Sequence, residues 1–510
     1  MNLLWIKRTR TCLLLLPLCW GQVGCGKSTI EPNAVSQKPV VVQQPTTRAG
    51  NDVQESNTEP SSSPASPAKP AFRAPFSETP PAVREKPRIL GDLLNESERQ
   101  PTPSPPPRVI DDARLAAAGV RKVVGKHLVL YTDLPTSPAV DEIPRVFDLA
   151  VPQWCEYFHV DPSKVADWRL TGFVMKEKAT FQGLGLLPAD LPPFLHGYQR
   201  DTDLWVYEQP SDYYRRHLVL HEGTHGFMMT FLHGAGPPWY AEGMAERMGT
   251  HLWKDGQLTM GYIPPDKEAA PHWGRIKLIT DDFRAGNART LISAMKSDAR
   301  SFLQPEPYAW SWAVTTFFER HPLTAASFPQ LIAKTGDATE EFSKSFYEDF
   351  KPQWPELSED WQLFVIEADY GYDFARSAVV RQPADTAPGT TATIVADRSW
   401  QSTGFAIQAG KEYSISASGR YQIANQEQIW WCEPGGVTIH YHNDVPLGTL
   451  MAAVRPDDWD GNGITPLAES LPIGLGGTFD FATSGTLYLR INEPSAGLHD
   501  NAGQIVVQIQ

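Results

Sequence analysis

Hydrophobic and polar positions divide the chain into four stretches of different texture. A short apolar run at 13–20 follows the basic residues Lys7, Arg8 and Arg10. From about 30 to 108 the apolar positions thin out into Pro, Ser, Thr, Gln and Glu, as in SSSPASPAKPAFRAPF and PTPSPPP. Such a stretch buries too little surface to fold and reads as a disordered tether. Periodic patterning begins near Val109. A β-rich run at 127–132, a helical pattern over 140–158 and runs at 169–175 and 203–208 predict mixed α and β structure. The spacing over 211–233 predicts one long helix with Ser211 as its cap, stopped by Gly234-Ala-Gly-Pro-Pro. Pro238 then fits the first position of a second helix running to about 249. Further helices are expected over 290–296, 308–320, 324–334, 339–347 and 357–368. After a Pro/Thr linker at 382–391 the period changes to two. Short strands at 404–407, 413–417, 437–441, 486–490 and 504–509, separated by Gly turns, predict an all-β sandwich.

Composition sharpens this division. The chain has 510 residues, too many for one typical domain, and 41% of them are hydrophobic, enough for sizeable cores. The expected organisation is an export signal over 1–24, a tether over 25–108, an α+β domain over 109–381 and a sandwich over 392–510. A formal net charge of −14 offers no basic excess to neutralise phosphates and excludes a nucleic-acid partner. Of the five cysteines, Cys12, Cys19 and Cys25 crowd the N-terminus, while Cys155 and Cys432 lie in different predicted domains, so no disulfide framework is expected. No later stretch is apolar for long enough to span a bilayer.

Residues 21–28, GQVGCGKS, match a phosphate-binding loop letter for letter. That loop requires a strand before it and a helix after it. Here an export signal precedes it and Ile30-Glu31-Pro32-Asn33 follows, so no nucleotide is expected. The segment resembles a bacterial lipoprotein signal, with Cys25 after Val23-Gly24 as the lipidated first mature residue. Gln22 stands where that pattern has Leu, and simple signal-peptidase cleavage is the alternative. Either route implies an exported protein, at the cell envelope or in the periplasm; the lipoprotein route would hold it to a membrane by a lipid anchor alone.

The strongest local chemistry is His221-Glu222-Gly223-Thr224-His225. Two histidines four apart share one helix face and can bind one ion, with the intervening Glu as general base toward a metal-bound water. Neutral imidazoles suit Zn²⁺, which in catalytic sites keeps three protein ligands and one open position. The second helix, Pro238-Trp239-Tyr240-Ala241-Glu242-Gly243-Met244-Ala245-Glu246, returns antiparallel and brings a carboxylate as the missing ligand. This pair of motifs resembles the gluzincins, the thermolysin- and aminopeptidase-N-like zinc peptidases, and in particular the peptidase MA-like domains of bacterial surface proteins. The resemblance implies an α+β zincin-like catalytic domain in which His221, His225 and Glu242 bind Zn²⁺ and Glu222 is the base. It also implies a downstream donor for the oxyanion, for which Tyr308 is the candidate and His196 the weaker alternative. Glu246, one turn after Glu242, is expected to orient a histidine, to be the ligand itself, or to pair with Arg247 or another basic residue. His217 is expected to pack in the core or against the ligands, and His233 and His251 to be ordinary helix-end residues. An edge strand near 196–207 is a candidate platform for an extended peptide.

The segment 399–510 resembles the bacterial calcium-dependent galactophilic lectins, best at Leu487-Tyr488-Leu489-Arg490-Ile491-Asn492-Glu493-Pro494 and Asp500-Asn501-Ala502-Gly503. The resemblance implies a galactose-binding sandwich in which Glu493, Asp500 and Asn501, with a carbonyl near Ile423, hold Ca²⁺ and through it a carbohydrate ligand. Glu493 is longer than the family's Asp, and Gly497 stands where the family has a ligating hydroxyl. Together these features point to an exported zinc metallopeptidase acting on a peptide or protein. The alternative is a surface carbohydrate-binding protein with a degenerate peptidase domain.

Overall fold

The computed structural model of the chain describes residues 76–77, 110–382, 391–425 and 428–510, all within one compact unit, Pro70–Gln510. The expected signal segment and Cys25 lie outside the described residues, as does the tether apart from Phe76–Ser77. Those two residues form a strand, parallel to Ala288–Arg289.

The first layer is a five-stranded sheet ordered Arg121–Val124, Leu128–Thr132, Leu170–Met175, Asp203–Tyr207, Gly197–Arg200. Its outer pairs are antiparallel and its two inner pairs parallel. Period-two alternation sends Leu128, Leu130, Leu170, Leu204 and Val206 into the main helical core. Tyr131, Phe173, Met175 and Trp205 point the other way and meet Phe181, Leu186 and Leu187. Gly197–Arg200 is the last strand on its side.

Against this sheet packs the helix Asp212–Phe231, here called the motif helix. Ser211 caps it as expected, its Oγ accepting the Tyr214 N–H at 3.1 Å. Next comes the return helix, Pro238–Gly249, with Pro238 in the first turn, where its missing N–H costs nothing. The return helix lies flush on the helix Glu306–Arg320 because Gly243 has no side chain. A Cβ there would overlap Thr315 Oγ1 and stand 2.6 Å from the Ser311 carbonyl.

Two helical expectations change. The helix expected over 324–334 is a 3₁₀ segment, Phe328–Lys334, after a turn. Pro329 lacks the N–H an α-helix through it would need, and its ring would clash with the Ala325 carbonyl. A helix at Arg275–Arg284, without a counterpart in the sequence reading, follows Gly274 in the left-handed region at φ 64°.

The C-terminal region holds two four-stranded antiparallel sheets. One is ordered Thr391–Val395, Gln504–Ile509, Glu412–Ser418, Gly476–Asp480; the other Gln401–Ile407, Gly485–Ile491, Leu450–Arg455, Leu471–Pro472. Ile394, Ile415, Leu450, Leu489, Ile505 and Val507 fill the space between them, giving a β-sandwich. The outer face of the second sheet, through Met451, Ala453 and Tyr488, meets Leu363 on the helix Trp354–Ile366. At that seam Glu359 is fully buried. It accepts from Arg381 at 2.9 Å, from Arg455 at 2.9 and 3.0 Å, and from Thr465 Oγ1 at 2.9 Å. Cys155 and Cys432 are buried free thiols. Among the described residues no helix is long and apolar enough to cross a membrane.

Candidate metal centre

The motif helix carries His217, His221 and His225 one turn apart on the face toward the return helix. Three donor atoms converge there. His221 Nε2 lies 3.2 Å from His225 Nε2 and 3.2 Å from Glu242 Oε2, and His225 Nε2 lies 3.4 Å from the same oxygen. A tetrahedral Zn²⁺ with bonds of about 2.0–2.1 Å sets its ligand atoms roughly 3.3–3.4 Å apart. The triangle therefore has the dimensions of one face of that tetrahedron, and the residues present fit such an ion.

His217, His221 and Glu246 form a second group able to hold a metal. Glu246 Oε2 lies 3.3 Å from His217 Nε2, and its Oε1 lies 3.4 Å from His221 Nδ1. Both oxygens of Glu246 also accept from Arg275, at 2.7 and 2.8 Å. A cation in this second group would face a guanidinium, which favours the triangle instead. The expected pairing of Glu246 with a basic residue forms with Arg275, while Arg247 binds Glu319. Glu246 thus sits between Arg275 and the Nδ1 of His221, where it favours the tautomer that leaves Nε2 bare toward the triangle. His217 is fully buried, its ring beside those of Tyr213 and Tyr214.

Electrostatics follow from burial and charge. Burial pushes the Glu222 carboxyl up to about 7, against the pull of His221 and His225. Burial would raise Glu242 too, but His225 and His221 beside it bring it down to about 2. Burial would discharge His221, yet Glu242 and Glu246 around it hold its pKa well above the usual value. Three converging donors that draw in a proton are the donors from which a cation displaces one.

Glu222 faces the last strand of the sheet. A Cβ on Gly197 would overlap its carboxylate, so the edge strand's backbone runs directly against the candidate base. Tyr308 lies in the first turn of Glu306–Arg320, its ring 5.9 Å from that of His221. Burial, reinforced by Glu242 and Glu222, raises the pKa of its hydroxyl and keeps it a proton donor. His196 and Tyr308 border one cavity beside Glu222, and burial lowers the pKa of His196. His233 is exposed at the helix end, with φ 60°, and His251 is buried at the start of the strand His251–Lys254. Arg275 is a site residue with no motif around it in the sequence; Gly197 belongs to the edge strand expected near 196–207, but its close approach to Glu222 has no local signal.

In the sandwich, Glu493 and Asn501 meet through a 2.9 Å bond from Asn501 Nδ2 to Glu493 Oε2. Asp500 Oδ2 accepts from the Asn425 backbone N–H at 2.9 Å. The strand Tyr421–Asn425, which carries Ile423, runs alongside through a bridge between Gln422 and Ala502.

No family model matches the chain, and no curated protein matches it. Among matching solved structures is one described as "EclA N-terminal domain; PllA-like lectin", 21% identical, with the alignment covering 24% of this chain and 94% of that one at a TM-score of 0.18.

Proposed function

We propose that the chain is an exported, lipid-anchored zinc metallopeptidase of gluzincin type, attached through Cys25. The observation that carries the reading is the triangle of His221 Nε2, His225 Nε2 and Glu242 Oε2 beside a buried glutamate. Zinc bound there would lower the pKa of a ligand water toward ~7 and polarise a peptide carbonyl. Glu222, lifted to about 7 by burial, takes the proton of the attacking water and returns it to the leaving amine. Tyr308, held protonated, donates its O–H toward the developing oxyanion. Glu246, fixed by Arg275, orients His221. The backbone of Gly197–Arg200 lies beside Glu222, where an extended peptide would align.

The test is elemental analysis of the purified protein together with cleavage of a mixed peptide library. One zinc per chain is expected, with Glu222→Gln retaining the metal and losing about 10²-fold or more in cleavage rate. Absence of stoichiometric zinc overturns the reading. Zinc without Glu222-dependent cleavage turns it into the alternative, a carbohydrate-binding surface protein with a degenerate peptidase domain.

A second reading concerns the sandwich, where Glu493, Asp500 and Asn501 would hold Ca²⁺ for a sugar. It is favoured by one observation: Asn501 Oδ1 is buried without a hydrogen-bond partner, next to a Glu493 pushed up to about 7 by burial, with Asp500 adding to the rise. A divalent cation would satisfy that oxygen and ionise Glu493. The longer Glu493 side chain fills the space that a Cβ on Gly497 would need, so the two departures from the lectin pattern compensate each other. Millimolar calcium is expected to raise the melting temperature of the wild type but not of Glu493→Gln, and to support glycan-array binding. Equal melting curves with and without calcium would remove this reading.

A further inference from the structure

Next to Glu222 lies a half-open cavity of about 30 Å³, bounded by Leu195, His196, Tyr214, Leu218, Arg275 and Tyr308. A single water needs roughly 10–15 Å³, so a space of this size suits a methyl or hydroxymethyl group better than an isobutyl or benzyl group.

Its walls are not free to retreat. Arg275 gives four N–H groups to Glu246, the Trp273 carbonyl and the Tyr214 hydroxyl, at 2.7–3.3 Å. Tyr214 is pinned between that bond and the ring of His217, 5.4 Å away. Leu218 is buried on the motif helix. The guanidinium in the wall does not make this an anion pocket, because both Glu246 oxygens already compensate its charge. Leu195, on the edge strand's approach and 36% exposed, forms the rim.

We infer that this cavity is a specificity subsite that admits a small uncharged side chain (Gly, Ala or Ser) on a residue flanking the scissile bond. The inference rests on the peptidase reading and adds the substrate class to it. Two measurements on the full zinc-loaded protein test it. Mass-spectrometric mapping of cleaved peptide pools should show Gly, Ala or Ser fixed at one flanking position, with Leu or Phe there reducing kcat/KM at least tenfold. Independently of turnover, amino-acid hydroxamates added to zinc-loaded Glu222→Gln should raise its melting temperature more with a methyl than with a benzyl side chain. Leu195→Ala and Leu218→Ala should each shift both readouts toward larger side chains; Leu195→Ala, at the exposed rim, remains informative if Leu218→Ala fails to fold. Cleavage or hydroxamate binding that favours Leu or Phe in the wild type overturns the subsite and leaves the peptidase intact. Zinc-loaded protein that cleaves nothing, yet still prefers the small hydroxamate, overturns the peptidase and leaves the subsite. Protein that binds no zinc overturns both.

Discussion

His251 is a base kept neutral by its surroundings. Its ring stacks on Tyr213 at 4.6 Å, its Nδ1–H donates to the Gly249 carbonyl at 2.7 Å, and Arg216 Nε approaches Nε2 at 3.4 Å. Burial brings its pKa down to about 3; the Gly249 bond opposes the shift, and Arg216 and His217 assist it. The unfolded chain, with a histidine near 6.5, therefore binds a proton that the folded chain refuses. This contribution to stability is complete above about pH 6.5 and is lost as pH falls toward 3, at up to about 1.4 kcal/mol per unit. Urea midpoints measured at pH 7, 6 and 5 should fall less steeply for His251→Gln than for the wild type. Parallel curves would show that the ring is protonated in the fold. Which histidine plays which part was only partly legible. The spacing of His221 and His225 specifies a shared face, and contact with Glu242 then sets that pair apart from His217 and from the buried His251. Burial depends on segments that no local pattern names.

At the scale of elements, the site rests on how closely two helices approach. Gly243 allows the return helix to lie on Glu306–Arg320, which aligns Glu242 with the motif helix and brings Tyr308 to the same place. Alanine would favour the helix by about 1 kcal/mol over glycine. The overlap with Thr315 and Ser311 opposes this by about 1–3 kcal/mol, so crowding wins. Gly243→Ala should lower the melting temperature and weaken retention of the proposed zinc against a chelator, and serine should do so at least as strongly. An unchanged melting temperature would mean the helices part without cost. The two motif-bearing helices were readable because caps, prolines and the four-residue spacing are local signals. Arg275–Arg284 was not, since it begins after a left-handed Gly274 without a capping side chain, and its decisive contact is with Glu246, 29 residues earlier. Likewise the strand Leu450–Arg455 is buried along almost its whole length, so it lacks the alternation that marks a half-exposed strand.

Across the whole molecule the helical layer and the sandwich share charge as well as apolar surface. Glu359 is bound by Arg381 and Arg455, and Asp360 by Arg381 at 2.8 Å and by His321 at 2.8 Å. Removing one partner of such a buried pair costs about 3–5 kcal/mol because the other charge is left bare. Arg455→Met should therefore destabilise both parts, and wild-type calorimetry should show one transition for them. Two resolved transitions, with only the sandwich affected by Arg455→Met, would show that the parts unfold separately. The sequence reading placed these parts on either side of a linker, because texture changes there, and a change of texture does not reveal a buried carboxylate on one side matched to an arginine on the other.

The partnership of Glu359 and Arg455 also sets an order of events during biosynthesis. They are 96 residues apart, and a chain emerges N-terminus first. The helix bearing Glu359 is therefore complete well before Arg455 arrives, and its carboxylate cannot be buried at full compensation until then. The candidate metal centre, though encoded upstream, therefore belongs to a finished molecule only once Arg455 has been delivered.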